Sequence, residues 1–147
     1  MPKFKFKFDT VKKVKNAFEK KAQKELQIID LEIRRVTGLI DMFEQEIECH
    51  KAAVTSKVNL KVSELKYLTD YENYIQEKIK AARIRLQRLE KEKNNKINEL
   101  IRRSKESKIF EKLEVKHLNK FNINSKRIEQ NEIDDIAGKR SQRGNTN

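Results

Sequence analysis

Hydrophobic positions along the first third of the chain alternate in steps of four and three. Ala22, Leu26, Ile29, Ile33, Val36, Ile40, Phe43, Ile47, His50 and Val54 follow one another without a miss. An average spacing of about 3.5 residues predicts a helix that packs on another as a left-handed coiled coil. Val11, Val14 and Phe18 carry the stripe toward the N-terminus with one irregular step, and Asp9 and Thr10 offer N-cap oxygens ahead of it. A second stripe runs through Leu65, Leu68, Glu72, Ile75, Ile79, Ala82, Leu86 and Leu89. It is diluted at Lys93 and continues less regularly through Ile97, Leu100, Ile101, Phe110, Leu113, Leu118 and Phe121.

Between the stripes, residues 55–61 combine β-branched side chains with Ser56 and Asn59, and Ser63-Glu64 would cap a new helix. A single helix from Asp9 to Ala137 would be about 200 Å long. A hairpin instead lets one half bury its seam on the other. The predicted fold is therefore all-α: an elongated antiparallel two-helix coiled-coil hairpin. Helix one spans about 9–55, a turn about 56–62, and a longer second helix about 63–137. Residues 1–8 form a basic and aromatic arm, Gly138 is the expected stop, and 139–147 read as a disordered basic tail.

Charge supports this pairing. Residues 22–50 hold three basic and seven acidic groups, whereas the segment opposite, 70–98, holds eight basic and five acidic. Opposite charges beside a seam select orientation more than they add stability. Folding about residue 60 leaves roughly residues 112–137 without a partner in the chain. That overhang is expected to need another surface.

Composition narrows the function. Of 147 residues 39% are charged, Trp is absent, and only three Gly and one Pro are present. Such a chain suits long helices rather than a compact domain rich in turns. The net charge of +12 favours an acidic partner of some kind. Cys49 is the sole cysteine, which suits a reducing cytoplasm. Met1-Pro2-Lys3-Phe4 lacks the apolar run of a signal peptide, and no stretch approaches about 18 apolar residues. A cytoplasmic protein without direct membrane insertion is expected.

Catalytic chemistry is missing from the sequence. His50 and His117 have no metal-ligand neighbours at usable spacing, and no glycine-rich loop could cradle phosphate. His50 reads as a coiled-coil histidine. No catalytic, cofactor-binding or metal site is expected, and the chain is not read as an enzyme. The basic stretch before the seam (Lys12, Lys13, Lys15, Lys20, Lys21) lacks the arginine density of a DNA-reading zipper. Phe4, Phe6 and Phe8, alternating with Lys3, Lys5 and Lys7, could stack bases, but they more often pack on a helix or a partner.

Two features rise above a solvated charged face. Tyr67, Tyr71 and Tyr74 lie beside the second seam, continued by Lys78, Ala81 and Arg85. They form either a docking strip or a widened local core. The second feature is the run from Glu129 to Arg140, where Ile133, Ile136 and Ala137 share a face that helix one cannot reach.

The pattern resembles the FliJ family of flagellar export proteins. The likeness rests on Phe4-Lys5-Phe6-Lys7-Phe8 with Val11 and Val14, on Tyr71-Glu72-Asn73-Tyr74-Ile75, and on the run from Lys105 to Leu113. Glu132-Ile133-Asp134-Asp135-Ile136-Ala137 with Arg140 completes the set. The resemblance implies a coiled-coil stalk, similar to the γ stalk of rotary ATP synthases. Such a stalk inserts into a FliI-like hexameric export ATPase, promotes its assembly, contacts an FlhA-like export gate and handles export chaperones. A monomer in isolation is also expected, located peripherally at the inner face of the cell membrane, with no nucleic-acid partner. Carried onto this chain, Tyr71, Tyr74, Lys78, Ala81 and Arg85 are the gate-binding candidates. Phe8, Val11, Val14, Phe18, Leu118, Phe121, Ile133, Asp135, Ile136 and Arg140 are the ATPase-ring candidates. The alternative from the residues alone is a homodimeric scaffold or a basic nucleic-acid-binding coiled coil.

Overall fold

The structure, a computed structural model, describes residues 2–145. It contains two helices, α1 (Asp9–Thr55) and α2 (Val62–Gly144), and no strand among the described residues. They form the predicted antiparallel hairpin with the longer second helix.

Helix α1 starts where the Phe8 carbonyl accepts the Lys12 N–H at 2.9 Å. Asp9 lies in the first turn, where a carboxylate suits the helix dipole, and pairs with Lys13 at 2.9 Å. At the other end, the Ser56 hydroxyl donates to the Ala53 carbonyl at 2.9 Å, which satisfies one acceptor left open by the end of the helix. Helix α2 opens on the Lys61 carbonyl, which accepts from Glu64 and Leu65 at 3.1 and 3.2 Å. Ser63 therefore sits inside the first turn rather than ahead of it. The turn between the helices is built without any positive φ.

The helices contribute to two compact units, one made of residues 20–101 and the other of residues up to Glu19 and from Arg102 onward. In the first unit, Val36, Ile40, Ile47, Ile75, Ile79 and Ala82 form the buried core, flanked by Phe43, Tyr71, Leu86 and Leu89. None of the ten predicted seam positions from Ala22 to Val54 is exposed. Ion pairs line the seam in antiparallel order: Lys51–Glu72 at 2.6 Å, Arg83–Glu44 at 3.1 Å, Lys93–Asp30 at 2.8 Å and Lys96–Glu25 at 2.8 Å. Each is partly solvated and screened by water, so together they select register while the core supplies stability.

The second unit departs from the sequence reading in three ways. The N-terminal arm packs on α2, as is the more common fate of such phenylalanines. Phe4 meets Phe121 at 5.6 Å between ring centroids, Phe6 meets His117 at 5.6 Å and Phe8 meets Phe110 at 6.5 Å. Phe6 is buried. A turn at residues 7 and 8, where the Asp9 N–H donates to the Phe6 carbonyl at 3.3 Å, leads from the arm into α1, and all three phenylalanines reach α2. The unpartnered stretch consequently begins near Lys126 rather than near residue 112: every residue from Lys126 to Asn145 is exposed.

The seam phase also differs. Val11, Val14 and Phe18 are 40%, 45% and 42% exposed, while Lys12, Lys15, Asn16 and Glu19 are half-buried. Counting back from Ala22 by three and four lands on Glu19, Lys15, Lys12 and Phe8, so the heptad continues without an irregular step. Polar partners across the seam make this tolerable: Lys15–Glu106 at 3.1 Å, Lys12 with Glu114, and the buried Ser107 hydroxyl donating to Asn16 Oδ1. A hydrogen-bonded polar layer of this kind specifies register at a cost in stability.

Finally, α2 runs through Gly138 to Gly144. Glycine stops a helix by adopting positive φ, and no glycine does so here. Inside a helix it costs only about 1 kcal/mol relative to alanine, and Arg143 in the last turn suits the dipole. Residues 139–144 of the expected disordered tail are thus helical, and residues 146–147 lie outside the described residues.

Candidate functional site

In the first unit, a groove of about 320 Å³ runs between the helices, lined by Val36, Leu39 and Phe43 of α1 and Lys78, Ala81, Ala82 and Arg85 of α2. Three of the five gate-binding candidates thus share one concavity. Ala81 opens it, because a methyl group there leaves the facing Leu39 37% exposed. Lys78 Nζ stands 4.6 Å from the Tyr74 ring centroid and 5.7 Å from that of Phe43, a double cation–π contact at one wall. Arg85 pairs with Glu32, which fixes the other wall. Tyr74 remains 56% exposed beside the groove.

Tyr71 behaves differently. Its ring stacks on His50 at 4.5 Å and its hydroxyl donates to the Glu46 carboxylate. That hydrogen bond, helped by burial and by the Glu46 charge, pushes the phenol up to about 12. Tyr71 therefore belongs to a locally widened core, with His50 half-buried beside it as expected of a coiled-coil histidine. The sequence reading missed Leu39 and used Val36 and Phe43 only as seam. Leu39 lies one position off the seam, and only its small neighbour on α2 gives it a part in the groove.

The ring candidates divide as well. Phe8 and Phe121 are taken up in arm packing. Val11, Val14 and Phe18 form a half-exposed stripe at helical spacing, with the Arg103 guanidinium 4.8 Å from the Phe18 ring centroid. Leu118 is 38% exposed. Ile133, Asp135, Ile136 and Arg140 lie on the uncovered end of α2. At the start of that end a shallow hollow of about 630 Å³ is lined by Pro2, Phe121, Ile128 and Glu132, among others.

A family model described as flagellar FliJ protein matches residues 4–146, nearly the whole chain. The chain belongs to the FliJ family. It is therefore a coiled-coil protein related to flagellar export, of a structural family rather than one of known enzymes. Searches of curated proteins and of solved structures returned no match. No group of three or more candidate metal ligands occurs among the described residues, and no helix is long and apolar enough to cross a membrane.

Charge in this FliJ-family chain is unevenly placed. The unit holding both termini carries 18 basic and nine acidic residues, a balance of +9, against 17 and 14 in the other, a balance of +3. The interhelical pairs also make stability pH-dependent. Lys96 holds the Glu25 carboxyl below its ordinary 4.5, and Lys15 does the same for Glu106. Folded values below unfolded ones mean stabilisation present above about pH 4.5 and lost as the pH falls through the lowered values. Lys12 and Lys96 are raised above 10.5 by hydrogen bonds to Glu114 and Glu25, and Tyr71 above 10.0. Their contribution is present below about pH 10 and lost as the pH rises. Thermal melts should show a plateau between these limits, shallower at high salt because the pairs are solvated. A melting temperature that rises on acidification to pH 3 would contradict this account.

Proposed function

We propose that this chain is the stalk and adaptor of a flagellar export machine. In this reading it inserts into a FliI-like hexameric ATPase, promotes assembly of the ring, links it to an FlhA-like gate and receives export chaperones. Its working position is peripheral, at the inner face of the cell membrane. The observation that carries the reading is the end of α2, exposed from Lys126 onward in a chain whose family belongs to flagellar export. An uncovered helix bearing Ile128, Ile133 and Ile136 on a strongly basic unit fits a partner that encloses it and is acidic. The reading is tested by titrating the full chain into purified export ATPase. Hydrolysis and ring assembly, followed by sedimentation, should both increase; rates and sedimentation identical with and without the chain would sink the stalk role.

The groove at Ala81 is the proposed gate contact, because it combines an apolar floor with fixed cations and an exposed aromatic side chain, the mixture enriched at binding hot spots. Ala81→Glu fills the groove with a charge, yet Ala81 is exposed and helical, so folding should survive. Affinity for the gate's cytoplasmic domain should fall about tenfold or more, or about 1.4 kcal/mol. Lys91→Glu, outside the groove, should leave it unchanged. Equal effects of the two variants would assign the binding to general charge instead.

A further inference from the structure

The outward face of α2 between Lys105 and Lys120 carries Lys105, Lys108, Lys112, Lys116 and Lys120, all exposed and none in an ion pair among the described residues. They extend over about 22 Å of helix. The acidic residues of the same stretch turn the other way: Glu106 pairs with Lys15, Glu114 pairs with Lys12, and Glu111 lies in the field of Lys12. Segregation of the two signs leaves a ridge of lysine without a carboxylate. Ile109, 62% exposed, lies among these lysines, and Ile123, 63% exposed, follows them on the same face. Helical periodicity sets that face opposite the seam formed by Arg103, Ser107, Phe110, Glu114 and His117, so no part of this unit covers it.

We propose that this ridge is a docking surface for an anionic phospholipid bilayer, onto which the helix lies without spanning it. The choice of partner follows from residue type. Lysine is a compact, strongly hydrated charge suited to a diffuse anionic surface, whereas shape-specific recognition of carboxylates favours the arginine fork. Clusters of about four to eight basic residues on one helix face read as recognition of acidic headgroups. A phosphate backbone offers nothing to Ile109 and Ile123, and the phenylalanines that could stack on bases are packed on the seam side. In a headgroup layer the two isoleucines reach apolar surroundings while the lysine stems extend toward phosphate. This contact does not depend on the ATPase or the gate.

The test uses the full chain with vesicles of phosphatidylcholine alone or mixed with phosphatidylglycerol, read by co-sedimentation. Binding should require the anionic lipid. The triple variant Lys108→Gln, Lys112→Gln, Lys116→Gln should lose roughly 100-fold in partitioning, about fivefold per lysine. Lys24→Gln, Lys66→Gln, Lys91→Gln removes the same charge from exposed sites in the other unit and should change it far less. Ile109→Ser with Ile123→Ser should weaken vesicle binding and leave binding to duplex RNA untouched. Retained helicity by circular dichroism excludes unfolding as the cause of any loss. Equal losses in the two lysine triples, equal binding to neutral vesicles, or a ridge triple that loses RNA binding while keeping vesicle binding would each overturn the proposal.

Discussion

Ile79→Ala should lower the unfolding free energy by about 2–4 kcal/mol. Ile79 is 1% exposed and sits in a core with Val36, Ile40, Ile47, Ile75 and Ala82. Truncation removes three carbons from a two-sided seam, so the loss combines transfer free energy with a cavity that only the facing helix can relax into. A seam has few layers, and each carries a large share of total stability, since ordinary domains retain only about 5–15 kcal/mol. Urea unfolding followed by circular dichroism should show a lower midpoint with an unchanged slope. Leu118→Ala, at a residue 38% exposed, is the comparison and should cost less than about 1 kcal/mol. Should the two variants melt alike, Ile79 is not at the centre of the core and the pairing register is wrong.

Deleting residues 127–147 should abolish stimulation of the export ATPase while leaving the rest of the fold intact. The cut is placed by the structure. Phe121, which anchors Phe4, and half-buried Ser125 both remain, and everything removed is exposed or lies outside the described residues. A cut at residue 112, where the sequence reading begins the overhang, also unseats the arm by removing Phe121 and so confuses two effects. The shorter chain should unfold at the same urea midpoint and should bind the gate as before, because Tyr74, Lys78, Ala81 and Arg85 belong to the other unit. Full stimulation by the truncated chain would remove the uncovered end of α2 from the stalk mechanism and leave the stripe Val11, Val14 and Phe18 as the ring contact to test next.

The two surfaces differ in how far residue pattern alone could locate them. Lys78, Ala81 and Arg85 were legible because a small residue between two cations, one step off a regular seam, stands out by spacing. The Leu39 wall was not, since its role depends on which residue of α2 lies opposite. Tyr71 and Tyr74 are alike in sequence, yet one is claimed by His50 and Glu46 and the other is left exposed. Only the facing helix distinguishes them.

Periodicity and charge along the chain were sufficient to determine two long helices, their antiparallel order and the turn near residue 60. These are properties of neighbours in sequence, repeated often enough to outweigh any single exception. Tertiary structure alone decided the packing of Phe4, Phe6 and Phe8, the inward turn of Lys12, Lys15 and Asn16, and hence how much of α2 is left uncovered. Those contacts join residues about a hundred positions apart, such as Lys12 and Glu114. A polar side chain facing a seam announces its place only through the partner that satisfies it.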